Sequence, residues 1–537
     1  MAEQNWESLS HQEKELLQPF VTNLDESIFG LRNLPEVVKG ALFSRYSRSE
    51  KSLRRILLDE FINAPEANFS EMVGVTNSGN QIIATELAEA FYDRVLIGYG
   101  DDSVAELGGA HLGCEGISNI AAKALEDSRL GISPLEKSTR YVRFDRKING
   151  RYSYCRESSI VSSKYAQLYE NTLDHLFDTY SNLIEPLLDW VRQGTPKDET
   201  TGNRAYNNAT RAKTLDLLRG LLPMATLTNV GLFGNGRAFE YLLVKLAASP
   251  HQEVQKIGEM MQSQLDKMIP SFVKRAKSER GRQYSNYLQD NYHRTGLLTP
   301  KLLKPVEAIN KDTVKLIEYD RGAEDKIIAA ILYPHTDLTL EQIQEAVENL
   351  SAAEKREIID TYIGERLSRF HKPGRALEET YYTFDILADI GAYRDLHRHR
   401  VMTQERQLYT VRHGYDTPIE LIEANLHQGY KSALNQAAET TETIGQELPF
   451  AAQYVVPFAY KIRWRIKLNL REIYHLVELR SAKQGHPSYR FIAQEMYRQI
   501  KKVHPNLVQK MSFVDLKDYS LERLAAEQRL EEKSRKH

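Results

Sequence analysis

An internal repeat constrains this chain more than any other feature. In its first half, Ser103-Val-Ala-Glu106 leads to Ser133-Pro-Leu-Glu136-Lys-Ser138-Thr-Arg140-Tyr141, then to Arg219-Gly-Leu-Leu-Pro223 and Asn235-Gly-Arg237. In its second half, Arg375-Ala-Leu-Glu378 leads to Arg394-Asp-Leu-His397-Arg398-His399-Arg400, then to Gln453-Tyr-Val-Val-Pro457 and Asn469-Leu-Arg471. Proline and asparagine stand 12 positions apart in both copies (235 − 223 and 469 − 457), and an arginine follows two later each time. The intervening segments alternate as strands do, with Thr226 and Thr228 in the first, and Ile462, Trp464 and Ile466 set against Lys461, Arg463, Arg465 and Lys467 in the second. Shared order with equal spacing marks a duplicated unit. Length agrees, because 537 residues exceed the roughly 250–300 that one hydrophobic core usually organises.

Composition excludes several classes. Lys+Arg total 71 against Asp+Glu 73, a formal charge of −2, which argues against a protein that coats a polyanion. No apolar run approaches the roughly 18 residues of a membrane helix, and MAEQNWESLS is too acidic and polar for a signal peptide. Cys114 and Cys155 can build neither a CxxC metal site nor a disulfide framework, and read as buried thiols in a reducing compartment. The expectation is a cytoplasmic protein of more than one unit.

Along the chain, Ser10-His-Gln-Glu13 is a capping-box pattern ahead of Leu16, Leu17, Phe20, Val21 and Leu24, with a break at Pro19. A second helical stretch is expected from Pro35 to Phe61, its Arg45, Arg48, Arg54 and Arg55 read as a solvated face. Residues 281–325 lack sustained apolar periodicity and form the linker candidate. Ile327 to Leu332 reads as a short buried strand, and Thr339 and Ser351 as two helix starts. The charged stretch from Leu521 to His537 reads as a solvated helix or a frayed end.

Two motif groups carry possible chemistry. Arg394, His397, Arg398, His399, Arg400, Arg406 and Arg412 form the densest basic cluster. Guanidinium groups crowded in this way suit a phosphate; the cluster equally suits a surface helix paired with Asp395 and Glu405. His397 and His399, two apart, do not share a helix face, and no further ligands complete a zinc site. Glu136, Ser138 and Arg140 would share one side of an extended segment, as a ribose-phosphate contact set or as a polar face with Arg140 bridging Glu136. Asn469, His475 and Arg480 lie at 0, +6 and +11; His475 taken alone reads as a satisfied, half-buried histidine. No P-loop, GxGxxG or GxSxG occurs.

Taken together, these pieces resemble the flavin-dependent thymidylate synthases (the ThyX class). Members carry Arg-His-Arg, seven residues and then Ser in an S-x-x-E-x-S-x-R-Y context, an upstream S-V-x-E-H element, and a downstream Ala-Arg-x-x-Leu-Pro followed by Asn, Asn/His and Arg. The chain resembles two such units over roughly residues 80–275 and 325–510, eroded in complementary ways. The first keeps Ser133, Glu136, Ser138, Arg140, Tyr141, Arg219 and Asn235, but has Ser128-Arg129-Leu130 for Arg-His-Arg and Leu246 for the late arginine. The second keeps Arg398-His399-Arg400, Asn469, His475 and Arg480, but has Leu408 for the serine and Gln453 for the mid-unit arginine. Leu107 and Glu379 stand where a histidine follows the early glutamate.

The resemblance implies an α+β fold of two tandem units with helical extensions: an N-terminal extension over 1–80, a first unit over 81–280, a linker over 281–325, a second unit over 326–510 and a charged tail over 511–537. It implies methylation of dUMP to dTMP, part of dTMP biosynthesis, with FAD as cofactor and NADPH and methylenetetrahydrofolate as co-substrates. By the same resemblance, Glu136, Ser138, Arg140, Arg219 and Arg480 would bind the nucleotide, with Arg480 and Ser138 in catalytic positions. Arg398, His399, Arg400, Asn469 and His475 would hold the flavin, and no metal is implied. Because the family's unit works as a homotetramer with sites between subunits, a homodimer of this double-length chain is expected. Arg140 and Arg219 should then share one composite site with Arg398 and Arg480, and Leu408, Gln453 and Leu246 should gather elsewhere without charge. A catalytically degenerate flavin- or nucleotide-binding homologue is the alternative, and a nucleic-acid surface over Arg394–Arg412 and Lys461–Lys467 is disfavoured by the near-neutral charge.

Overall fold

A computed structural model describes residues 9–47, 49–63, 102–303 and 313–536. The chain divides into two compact bodies. One draws on residues 1–117, 121–136 and 229–305, the other on 118–120, 137–228 and 306–537. The bodies therefore do not follow the sequential halves, since residues 137–228 from the first repeat fold with the second. Mixed helix and sheet agrees with the expected α+β class. The expected boundary near residue 80 lies outside the described residues.

The first body holds a sheet of β1 (Gly109–Ser118), β2 (Ile132–Glu136) and β3 (Leu227–Asn235) in the order β1-β3-β2. β2 runs antiparallel to β3. Val230 and Leu232 of β3 turn inward while Gly231 and Phe233 face out, the two-residue period of a strand with one buried face. Asn235 then caps the helix Gly236–Ala247, its Oδ1 accepting from Ala238 N at 2.8 Å, which satisfies one of the donors a helix start leaves open. Arg237 pairs with Glu106 at 2.7 Å.

The second body holds an antiparallel sheet of β4 (Val314–Tyr319), β5 (Tyr381–Asp389), β6 (Thr403–Arg406) and β7 (Lys461–Asn469) in the order β4-β5-β7-β6. The alternation read in the sequence is that of β7, with Ile462, Trp464, Ile466 and Leu468 in the core. Asn469 caps the helix Leu470–Arg480 through Glu472 N at 2.9 Å, and Arg471 pairs with Glu378 at 2.8 Å. Strand, asparagine cap, helix, and an arginine reaching back to the early glutamate thus recur in both bodies. The repeat is a repeat of local construction.

Several local expectations hold. Ser10, Thr339 and Ser351 each form a capping box at the start of a helix. Others are corrected. Ile327–Leu332 belongs to the helix Ala323–Leu332, whose buried Ala323, Ile327, Ile328 and Ile331 follow helical spacing; a short apolar run does not by itself separate strand from helix. Residues 279–302, overlapping the linker candidate from 281 on, form a helix capped by Ser278. Only Gly281 and Ser285 of it are buried, so no apolar stripe announces it. The stretch from Pro35 breaks after Tyr46 and restarts at Leu53 under a new cap, Ser52. Arg54 is not solvated: it is buried and donates to the carbonyls of Asn23 and Glu26. Arg48 lies outside the described residues. The charged tail forms the helix Leu524–Lys536, which docks within the second body: Glu531 accepts from Ala205 N at 3.1 Å, and Glu527 accepts from Asn208. Its carboxylate sits at the positive N-terminal end of the helix Asn203–Leu218, a role invisible in a run of alternating charges.

Beneath the helix Leu470–Arg480, Arg366 and Glu478 form a two-pronged ion pair, both contacts at 2.6 Å and both side chains buried. Removing one member leaves an uncompensated charge in a low dielectric. Arg366→Ala is expected to cost about 3–5 kcal/mol in urea unfolding, and Arg366→Lys to recover only part of it, since an ammonium lacks the fork that matches a carboxylate.

Candidate functional site

The second body pairs the two repeated proline segments with each other. Pro223 bridges Pro457, and backbone bonds of 2.9–3.0 Å join Met224 to Val456, Ala225 to Tyr454, Phe458 to Leu222 and Ala459 to Gly220. This pairing accompanies the approach of Arg219, just past the end of the helix Asn203–Leu218, to carboxylates 170 and 176 positions away (389 − 219 and 395 − 219). Its Nη1 donates to Asp395 at 3.1 Å, and its Nη2 lies 4.0 Å from Asp389. Gly391 makes room, because a Cβ there would stand 2.9 Å from Arg219 Nη2.

Three more arginines converge on the same carboxylate. Arg140 donates to Asp216 at 2.8 Å and to the Gln484 carbonyl at 3.1 Å. Arg140 and Arg480 both lie over the ring of Tyr489, at 5.9 and 5.5 Å from its centroid. Burial pushes the Asp395 carboxyl up, but Arg219, Arg398, Arg140 and Arg480 together outweigh it and hold the group well below the usual carboxylate range. Arg140 Nη2 and Arg219 Nη2 are buried and meet no acceptor. A buried guanidinium donor without a hydrogen bond is costly unless an anion answers it. Arg219 also lines a cavity of about 410 Å³ with Asp216, Asp389, His486 and Ser488.

A second constellation adjoins Arg480. Its Nε donates to His399 Nε2 at 2.9 Å, and His399 Nδ1 donates to Glu472 at 2.8 Å. Burial and the nearby cations Arg480 and Lys372 keep His399 neutral, which this proton arrangement requires. Burial raises the Glu472 carboxyl to about 7. His475, whose ring centroid lies 5.4 Å from that of His399, is lowered to about 4, chiefly by burial. His399, Glu472 and His475 are close enough to share a cation, but His399 has no lone pair left to offer one. The arrangement is a relay from carboxylate through imidazole to guanidinium.

The family model of the thymidylate synthase complementing proteins matches residues 58–271 and again 315–506. The chain belongs to this family. The family is therefore present as a tandem duplication. A UPF0159 protein of Chlamydia pneumoniae is 42% identical over 532 residues, 98% of each chain. A UPF0159 protein of Thermoplasma acidophilum is 33% identical over 517 residues, 91% of this chain and 98% of that one. Among solved structures, thymidylate synthase X from Helicobacter pylori with FAD and dUMP aligns with a TM-score of 0.29 and 20% identity, over 37% of this chain and 98% of its own.

Set against the family's motifs, the structure brings Arg140, Arg219, Arg398 and Arg480 around Asp395, with Ser138 accepting from Arg140 N at 3.3 Å. Glu136 lies elsewhere. It ends β2 in the first body, its carboxylate enclosed and 3.1 Å from Lys123, so Arg140 bridges Asp216 and not Glu136. Asn469 Oδ1 is engaged as a helix cap, and both nitrogens of His399 are engaged in the relay. Of the other residues expected at the flavin, Arg398 and Arg400 each have partners of their own, and His475 lies against His399. Leu246 is buried in the first body, whereas Leu408 and Gln453 line a cavity of the second that also carries Arg412 and His413. Charge is present there, contrary to expectation. The sequence reading named Asp395 only as a surface partner of the basic cluster and missed Asp216, Asp389, Glu472, His486 and Tyr489. Only His486, standing before Pro487 as a helix cap, left a local signal.

A raised carboxyl favours folding fully below its ordinary value and loses that contribution as pH climbs through its folded value. Glu472 should thus weaken the fold progressively from about pH 4.5 to about pH 7. Glu472→Gln keeps an acceptor for His399 without the titration. The stability difference between variant and parent, from denaturant midpoints at pH 5 and pH 8, is expected to shift in the variant's favour at the higher pH.

Proposed function

We propose that this protein is an FAD-dependent thymidylate synthase, converting dUMP to dTMP with methylenetetrahydrofolate and a nicotinamide reductant. The observation that carries the reading is the convergence of Arg140, Arg219, Arg398 and Arg480, with two buried guanidinium nitrogens lacking acceptors, in a chain of this family. Arg140 and Ser138 would hold the nucleotide phosphate through charge-assisted bonds. Arg480, fixed by His399 and Tyr489, would lie at a uracil carbonyl and stabilise negative charge as C5 becomes nucleophilic. Arg398, Arg400 and His475 would bind the flavin. Reduced FAD supplies the hydride that completes the methyl group. Two chains would assemble as a homodimer of four units in the cytoplasm, and light scattering should return twice the chain mass.

The decisive assay supplies purified protein with FAD, dUMP, methylenetetrahydrofolate and NADPH and follows dTMP by chromatography. Protein that takes up no flavin and forms no dTMP sinks the reading. Flavin uptake without dTMP favours a binding homologue, for which the full engagement of His399 and the absent histidine at Leu107 and Glu379 speak. Removing a charge-assisted contact costs about 1.5–3 kcal/mol, so Arg140→Ala and Arg480→Ala should each weaken dUMP binding roughly tenfold or more. Their effects should be non-additive, as expected of groups on one ligand.

A further inference from the structure

The arginine cluster contains three carboxylates, and they are not equivalent. Asp216 fixes Arg140 by accepting from its Nε at 2.8 Å. Asp389 caps the helix Ile390–Leu396 through Ala392 N at 2.8 Å and accepts from Ser488 Oγ. Asp395 has no such task. Its hydrogen bond among the described residues is the one from Arg219 Nη1 at 3.1 Å, and its side chain is 19% exposed. The second nitrogens of Arg140 and Arg219 are covered and make no hydrogen bond, the latter lying 4.0 Å from Asp389.

We infer that Asp395 is a built-in counter-anion of this site: it holds the arginines together and competes with the ligand's phosphate for Arg219, limiting affinity where its neighbours provide it. The inference deepens the thymidylate synthase reading and depends on it only for the identity of the phosphate ester. Four guanidiniums this close repel one another, and one carboxylate among them relieves that repulsion at no cost in entropy of association. The same carboxylate must repel a phosphate that approaches Arg140 and Arg219. Phosphate entry therefore exchanges one anion for another at Arg219, which favours a ligand whose phosphate brings more hydrogen-bond acceptors than the carboxylate it displaces.

The test is Asp395→Asn, which keeps the shape and removes the charge, titrated calorimetrically with inorganic phosphate and with dUMP beside the parent protein. Phosphate is expected to bind the variant roughly tenfold or more tightly. The variant should melt at a lower temperature than the parent in phosphate-free buffer and regain the loss when phosphate is added. Asp385→Asn, which removes an equal charge paired with Arg463 on β5, should leave phosphate affinity unchanged. A variant that folds only with phosphate present supports the inference. One that fails to fold with or without it, or that binds phosphate no more tightly than the parent, overturns it. Should phosphate binding tighten while the parent neither binds dUMP nor converts it, the inference stands and the thymidylate synthase reading falls.

Discussion

The backbone pairing of residues 220–225 with 454–459 is the constraint on which the site depends. It is made of peptide N–H and C=O groups, which must be satisfied wherever they are buried, so it tolerates wide change in side chains. It joins the proline segment of one repeat to the proline segment of the other inside a single body. Gln453 occupies in the second segment the place Arg219 occupies in the first, four residues ahead of its proline. The two positions have taken opposite fates. Arg219 reaches Asp395, while the buried Gln453 accepts from Tyr409 N and stabilises a loop. A pairing that is symmetric in its backbone has become asymmetric in its chemistry.

Charge explains why the arginines stay where that pairing puts them. Buried guanidiniums without partners would be expelled to water. Arg140 and Arg219 stay because Asp216 and Asp395 answer them from rigid elements, and because Gly391 lets a guanidinium lie against a helix turn. Arg480 is held differently, by a neutral imidazole and an aromatic face. It carries less compensation than the others, and desolvation accordingly lowers its affinity for its proton. An arginine held by weak acceptors is the one most available to a developing negative charge.

What could be read in the sequence was whatever is local or repeated. Capping boxes at Ser10, Thr339 and Ser351 were legible because the cap and its third residue are neighbours in the chain. The strand Lys461–Asn469 was legible because its period is two. Arg140, Arg219, Arg398 and Arg480 were legible through family motifs, which record selection at separate positions. Of the carboxylates that answer them, Asp395 was read only as a surface partner of its own cluster, and the others were not legible. Asp216 and Asp395 stand in helices and Asp389 ends a strand, and their pairing with arginines joins residues 76 to 176 positions apart. The helix at 279–302 escaped for the opposite reason: it is so exposed that the apolar stripe by which a helix is recognised is missing.

The two capped helices show what duplication keeps and what it releases. Eleven residues after the capping asparagine, one helix carries Leu246 and the other Arg480. Leu246 is buried, and Gly258 of the following helix Gln252–Leu265 comes so near that a Cβ there would stand 3.0 Å from Leu246 Cβ. Arg480 instead meets Tyr489, at the start of the following helix Pro487–Val503. One difference at one helical position thus separates an apolar packing contact from a guanidinium held by His399 and Tyr489. An arginine at 246 would need an acceptor inside that helix–helix contact, and a leucine at 480 would leave His399 without its donor. The asparagine caps and the Glu106–Arg237 and Glu378–Arg471 pairs persist in both bodies because each helix needs its start fixed whatever its far end does. Shared construction at the start of the element and divergent chemistry at its end are what a fold common to two units permits.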